Sequence, residues 1–82
     1  MTRQADTETL VRFLVTSLVE HADSVAIARK ESGSTITYEI SVHPDDVGKV
    51  IGRQGRIIKA IRTVVRAAAS VDGDSVDVDV LG

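Results

Sequence analysis

The chain has 82 residues, of which 43% are hydrophobic and 27% are charged. This length and composition indicate one small globular domain with a single core, and they exclude a disordered chain. No apolar run approaches the ~18 residues of a membrane-spanning helix, the first residues lack the apolar stretch of a secretory signal, and no cysteine is present. We therefore expect a cytoplasmic protein with no membrane segment, no disulfide and no thiolate metal site.

The net charge of −2, taken alone, argues against a nucleic-acid ligand, but the charges are unevenly distributed. Residues 49–66 contain six basic side chains and no acidic one, whereas the rest of the chain contains four basic and twelve acidic ones. Electrostatic attraction acts over a Debye length of roughly 8–10 Å, so the local field decides whether an anion binds. The basic segment can therefore bind an anionic ligand on an otherwise acidic chain.

The first predicted element is a helix over residues 7–21. Leu10, Leu14 and Leu18 recur every four residues with valines beside them, and together they form a broad apolar stripe. Phe13, the only phenylalanine, is expected in the core or at an interface. Residues 1–5 are expected to form a loose N-terminal tail.

Two strands are predicted next, over residues 24–31 and 35–42. The second alternates apolar and polar side chains, as expected of a strand with one buried face. Turn-forming residues at positions 31–34 separate the two strands, so an antiparallel hairpin is predicted.

Two helices are predicted to follow the hairpin. Pro44 with Asp45 and Asp46 is typical of a helix start, and this helix must be short because Gly52 follows closely. Gly55 is predicted to open the longest helix, whose apolar residues lie on one face and whose basic residues lie on the opposite side. Its end is predicted at residues 71–74, and alternating valine and aspartate predict a last strand over residues 76–80.

The two helices are joined by the sequence Ile51-Gly52-Arg53-Gln54-Gly55-Arg56-Ile57-Ile58. The first amides of a helix have no partner within it, and with the helix dipole they form a site for an anion, most often a phosphate. Glycines let a phosphodiester approach the backbone without meeting a Cβ, and Arg53 and Gln54 can close over it. The structural alternative is a helix–helix turn that needs glycine for its backbone conformation alone.

This pattern, Ile-Gly-x-x-Gly-x-x-Ile, resembles that of K homology (KH) RNA-binding domains, and the chain is similar to the small bacterial single-KH-domain RNA-binding proteins of the KhpA type. The predicted order α-β-β-α-α-β matches the type II KH fold over nearly the whole chain. The resemblance implies one α+β domain over residues 1–82, with a three-stranded mixed sheet and three helices on one face. The second strand would be central, and the last would run parallel to it.

The resemblance also implies a function. A KH loop clamps the backbone of about four unpaired nucleotides, so we expect single-stranded RNA as the ligand, with single-stranded DNA as a further candidate. The expected role is post-transcriptional regulation or RNA chaperoning, as a homodimer or as a heterodimer with a larger KH-containing RNA-binding protein. The alternative is a KH-fold dimerisation or docking module whose groove binds protein. The residues expected to bind RNA are Lys49, Ile51, Gly52, Arg53, Gln54, Gly55, Arg56, Ile57 and Lys59.

In KH domains the bases lie across an aliphatic floor. Here that floor would come from Ile51, from Ile57 or Ile58, and from Ile40 or Val42, and the sequence leaves this choice open. Only 2% of the residues are aromatic, which argues against recognition by base stacking.

The remaining polar residues favour structural roles. His21 and His43 are on different elements with no carboxylate or cysteine at ligand spacing, so neither a metal site nor a cofactor is expected. Asp77 and Asp79 alternate on a strand and are interpreted as solvated. Arg66 is interpreted as a solvated residue or a partner contact. No nucleophile–base pair is evident in the sequence, so an enzyme is not expected.

Overall fold

The computed structural model describes residues 7–71 and 73–81. Its elements are α1 (Thr7–Leu18), β1 (Ala26–Ser32), β2 (Thr35–Ser41), α2 (Val47–Ile51), α3 (Arg56–Ser70) and β3 (Ser75–Leu81). Short 3₁₀ turns cover Ala22–Ser24, Pro44–Asp46 and Arg53–Gly55. The predicted tail, residues 1–5, lies outside the described residues. In the described part of the chain, no helix combines the length and apolarity that crossing a bilayer requires.

The three strands form one mixed sheet in the order β1-β2-β3. The hairpin pairs β1 with β2 antiparallel, Ala26 opposite Ser41, and β3 lies parallel to β2 with Ser75 opposite Thr35. The predicted α+β architecture with a central second strand is therefore confirmed. The boundaries differ by a few residues, since α1 ends at Leu18 rather than at residue 21 and β1 begins two residues later than predicted.

One face of the sheet is apolar, and the helices pack on it. Alternation places Tyr38 and Ile40 of β2 and Val76 and Val78 of β3 on that face, where all four are buried. Every helix contributes to the same core, which consists of Val11, Val15, Tyr38, Ile40, Val50, Ile58, Ile61, Val65, Ala69, Val76 and Val78. Burial of this apolar surface is the main force that holds the basic segment in place.

The two aromatic residues have opposite environments. Tyr38 is buried, and its hydroxyl lies 2.7 Å from the hydroxyl of Thr7, so each buried oxygen has a hydrogen-bond partner. Phe13 lies on α1 and is 65% exposed. The expectation that it packs in the core is therefore wrong, and a position at an interface stays a prediction. An aromatic ring at such exposure indicates an apolar surface patch rather than a packing role.

Candidate nucleic-acid interface

The glycine loop (residues 52–55) joins α2 to α3 through an unusual backbone path. Gly52 has φ 77° and ψ 171°, a conformation that is essentially restricted to glycine. Gln54 (φ 58°) and Gly55 (φ 72°) are both left-handed, and Gly55 is the N-cap of α3. The chain therefore turns sharply, and the exposed side chains of Arg53 and Gln54 lie at the apex of the turn.

The two glycines of the loop are needed for different reasons. A Cβ on Gly52 would lie 2.6 Å from Cγ1 of Ile57 and 2.9 Å from its backbone nitrogen, so Gly52 is required by contact with its own chain. A Cβ on Gly55 would meet only Cγ2 of Ile58, at 3.9 Å. The expectation that both glycines leave room for a phosphodiester is therefore corrected, because at Gly52 that room is filled by Ile57.

The loop also satisfies part of its own hydrogen-bonding capacity. The Gly55 amide donates to the Gly52 carbonyl at 3.1 Å, and the Arg56 amide donates to the Arg53 carbonyl. The set of amides available to an anion is therefore smaller than the sequence predicted. By helix geometry, the amides of Ile57 and Ile58 still have no acceptor within α3.

Three cations surround the loop without an acidic partner among the described residues, namely Arg53, Arg56 and Lys59. All three are exposed, and Nη2 of Arg56 donates to Oε1 of Gln54 at 3.3 Å. A phosphate could therefore contact three cations near the loop without breaking an ion pair among the described residues.

The other three cations of the basic segment form ion pairs. Lys49 Nζ lies 3.2 Å from carboxylate oxygens of both Glu20 and Asp46. Although desolvation opposes its charged form, these two carboxylates raise the pKa of Lys49. Its charge is largely compensated within the fold, and its predicted contact with RNA stays a prediction.

Arg62 and Arg66 share the carboxylate of Asp77. Nη2 of Arg66 lies 2.9 Å from Oδ1 of Asp77, and Nε of Arg62 lies 3.7 Å from the same atom. The Arg62 Nε also donates to the Val78 carbonyl at 2.8 Å. The Arg66 side chain is thus engaged with Asp77 rather than simply solvated.

Known proteins are similar in sequence to most of this chain. The family model described as "KhpA/KhpB, KH domain" matches residues 8–80. The chain belongs to the KhpA/KhpB KH-domain family. It is 46% identical over 74 residues to the RNA-binding protein KhpA of Halalkalibacterium halodurans, covering 90% of this chain and 97% of that one. It is also 51% identical over 61 residues to RNA-binding protein KhpA of Bacillus subtilis, covering 74% of this chain and 75% of that one.

Solved structures agree with this KH fold. Era in complex with MgGDPNP and nucleotides 1506–1542 of 16S ribosomal RNA has a TM-score of 0.68 and 23% identity, and the match covers 92% of this chain and 30% of that one. A point variant of Aquifex aeolicus Era bound to GDP and AlF4⁻ has a TM-score of 0.66 and 22% identity, covering 90% of this chain and 29% of that one. At these identities the likeness shows the fold alone.

The aliphatic residues near the loop of this KH domain divide by burial. Ile40 is fully buried and Ile58 is 7% exposed, so neither faces a ligand in this structure. Ile51, Ile57 and Val42 are half-buried and remain the candidates for a floor. Burial therefore favours Ile57 over Ile58 and Val42 over Ile40, and the floor itself stays a prediction.

A second apolar surface lies between the KH helices α1 and α3 and shares Ile57 with the first. A groove of about 370 Å³ runs between α1 and α3. Its lining, the α1–α3 groove, consists of Phe13, Leu14, Ser17, Leu18, Arg56, Ile57, Ala60, Ile61 and Val64. Phe13 and Val64 are its most exposed members, so this groove can accept an apolar partner.

Asp46 is a buried residue whose contacts no sequence pattern indicates. Its carboxylate accepts from the backbone amides of Glu20 and His21, from Nδ1 of His21 and from Lys49 Nζ, at 3.0–3.2 Å. Although desolvation favours the neutral acid, these hydrogen bonds prevail and hold the pKa of Asp46 well below its usual range. Asp46 therefore joins the end of α1 to the helix that leads into the glycine loop.

The fold brings His21 and His43 together from different elements, and each lies beside a carboxylate that its sequence spacing does not indicate. Their rings stack with centroids 3.9 Å apart, and one ligand atom from each ring and one from Asp45 lie within 4.8 Å of one another. The interplanar angle is only 14°, so the lone pairs of the two rings lie in nearly parallel planes and do not meet at one point. This arrangement does not suit a single ion in the described part of the chain.

Proposed function

We propose that this chain binds single-stranded RNA, with the glycine loop on the phosphate backbone of about four nucleotides. The observation that carries the proposal is the sharp, exposed turn of the loop with Arg53, Arg56 and Lys59 around it and no competing carboxylate among the described residues. Its relatives bear the name RNA-binding protein. The proposed contacts are the nine residues predicted from the sequence, with Lys49 already ion-paired.

The binding is expected to be modest and salt-sensitive. If Arg53, Arg56 and Lys59 each neutralise one phosphate, the logarithm of the association constant should fall with the logarithm of salt with a slope of about −2. Phosphate contacts of this kind carry little sequence information. Any base preference would therefore come from the half-buried aliphatic residues and the polar groups beside them.

We further propose that the protein works as a pair, as a homodimer or with a larger KH-containing RNA-binding protein, in post-transcriptional regulation or RNA chaperoning in the cytoplasm. The exposed α1–α3 groove supports a protein partner, because a ring as exposed as Phe13 gains by burial. A second binding site in the pair would raise the affinity for one RNA strand. The alternative in which the loop surface binds protein instead of RNA is not favoured, since the relatives are named for RNA.

The test is the double substitution Arg53→Asp with Gln54→Asp, titrated with labelled single-stranded RNA by fluorescence anisotropy. It reverses the charge at the apex of the loop, so binding should be abolished while circular dichroism shows an intact fold. RNA affinity equal to wild type in the folded variant would refute the clamp.

A charge-matched control is Lys30→Asp with Ser34→Asp, on two exposed residues of the hairpin. A short turn connects the end of α3 to Ser75, the first residue of β3. Ser75 pairs with Thr35, which follows the hairpin turn, so the hairpin turn lies near the end of α3. The turn and the loop are therefore at opposite ends of a helix about 22 Å long. With an RNA of about four nucleotides, the length held by the loop, this control should keep nearly all of the RNA affinity.

A further inference from the structure

The basic side of α3 extends beyond the three cations assigned to the loop. Lys59, Arg62 and Arg66 are spaced i, i+3 and i+7, so they share one face of the helix. With a rise of 1.5 Å per residue, Arg62 and Arg66 lie about 9 Å and about 15 Å along the axis from Arg56. This row of cations leads away from the loop in one direction.

Among the described residues, the charges at the far end of the row do not balance. Arg62 and Arg66 carry two positive charges, and both lie close to the single negative charge of Asp77. That carboxylate also accepts from the Val78 amide at 2.8 Å. The cluster keeps an excess positive charge, and Arg66 and Asp77 are both about half exposed, so an incoming phosphate can reach it.

The neighbouring edge of the sheet is closed to a protein strand. The Val78 amide is bonded to Asp77, the Val78 carbonyl accepts from Arg62, and the Val80 amide is bonded to Asp79. An edge strand whose backbone groups are occupied by side chains is protected against pairing with another strand. An added protein strand is therefore a poor occupant of this rim.

We propose that Arg62 and Arg66 form a second phosphate-binding subsite for the strand held at the glycine loop, and that Asp77 weakens this subsite by competing with the phosphate. The proposal rests on the proposed function, since it extends the same RNA along α3. It concerns RNA longer than the segment that the loop alone clamps.

The test compares Asp77→Asn with its matched control Asp79→Asn. Each substitution removes one negative charge from β3 and keeps an oxygen that can accept from the next amide, but only Asp77 contacts arginines. Two labelled RNAs are titrated by anisotropy: one of about four nucleotides, the length held by the loop, and one about twice as long.

For the longer RNA, Asp77→Asn should raise the affinity about three- to fivefold at low salt and make the salt slope steeper by about 0.7, which corresponds to one more phosphate. Asp79→Asn should change it less than about twofold. For the short RNA both variants should resemble wild type. Adding Arg66→Gln to Asp77→Asn should remove the gain.

Equal effects of Asp77→Asn and Asp79→Asn on the longer RNA, or a gain that survives Arg66→Gln, would overturn the subsite. If either result is found while Arg53→Asp with Gln54→Asp still abolishes RNA binding, the subsite is refuted but binding of RNA at the glycine loop is not. A wild-type protein that binds neither RNA would overturn both.

Discussion

Replacing Gly52 by alanine should damage the fold far more than replacing Gly55. At Gly52 the backbone conformation is one that L residues avoid, at a cost of about 1–3 kcal/mol. The added methyl would also lie 2.9 Å from the backbone nitrogen of Ile57, which cannot move without shifting the start of α3. Overpacking of this kind costs about 1–3 kcal/mol more.

The expected loss for Gly52→Ala is therefore about 2–6 kcal/mol. At Gly55 the conformation is left-handed and the nearest atom is at ordinary contact distance, so Gly55→Ala should cost only about 1–2 kcal/mol. Single domains have total stabilities of about 5–15 kcal/mol, and so Gly52→Ala could remove much of the folded population.

Urea denaturation followed by circular dichroism measures both losses. With a slope of about 1–3 kcal/mol per molar urea, a difference of 2 kcal/mol between the variants shifts the midpoint by roughly 1 M. Gly33→Ala is the control, because Gly33 also has a positive φ (60°) but no atom within 4 Å of the added methyl. Equal midpoints for Gly52→Ala and Gly33→Ala would refute the contact with Ile57.

Three further predictions address other parts of the molecule. The pKa of Asp46 is lowered in the folded state, so the stability that its carboxylate contributes is present above about pH 4 and is lost as the pH falls below that value. The urea midpoint of wild type should therefore fall in acid, and the midpoint of Asp46→Asn should depend less on pH. If the proposed pair is a homodimer, light scattering should give a dimer for wild type and for Val71→Ser, whose side chain lies outside the α1–α3 groove, but a monomer for Phe13→Ser. Gly48→Ala should raise the free energy of unfolding by about 0.5–1 kcal/mol, because open space surrounds Gly48 within α2, and an unchanged or lower urea midpoint would contradict this.

The fold is accessible from the sequence because its signals are local. The four-residue recurrence of leucines in α1, the alternation in β2 and β3 and the proline before α2 each depend on neighbours within a few positions. Such patterns predict the type and order of elements well, and the errors fall at their ends. The predicted first helix is too long because Val19 and His21 continue its composition, although the helix stops at Leu18.

The contacts of the site are not accessible in the same way. Asp46 reaches Glu20 and His21, which lie 26 and 25 positions earlier, and Arg66 meets Asp77 across a turn and a strand. Nothing in a linear pattern distinguishes a cation beside a carboxylate from a solvated one. The sequence therefore shows six cations, and only the fold separates the three that are paired from the three around the loop.

RNA binding and partner binding are proposed for two different faces of the helix α3. Lys59, Arg62 and Arg66 lie on one side, whereas Ala60 and Val64 lie on the other and line the α1–α3 groove. A partner bound in that groove would leave the basic row accessible, but it would contact Arg56 and Ile57, two proposed RNA contacts that line the groove. Because each site neutralises few phosphates, tight RNA binding requires two sites on one strand. A variant that dissociates the proposed dimer should therefore keep the weak RNA affinity of a single glycine loop. It should lose only the additional affinity that comes from two connected binding sites.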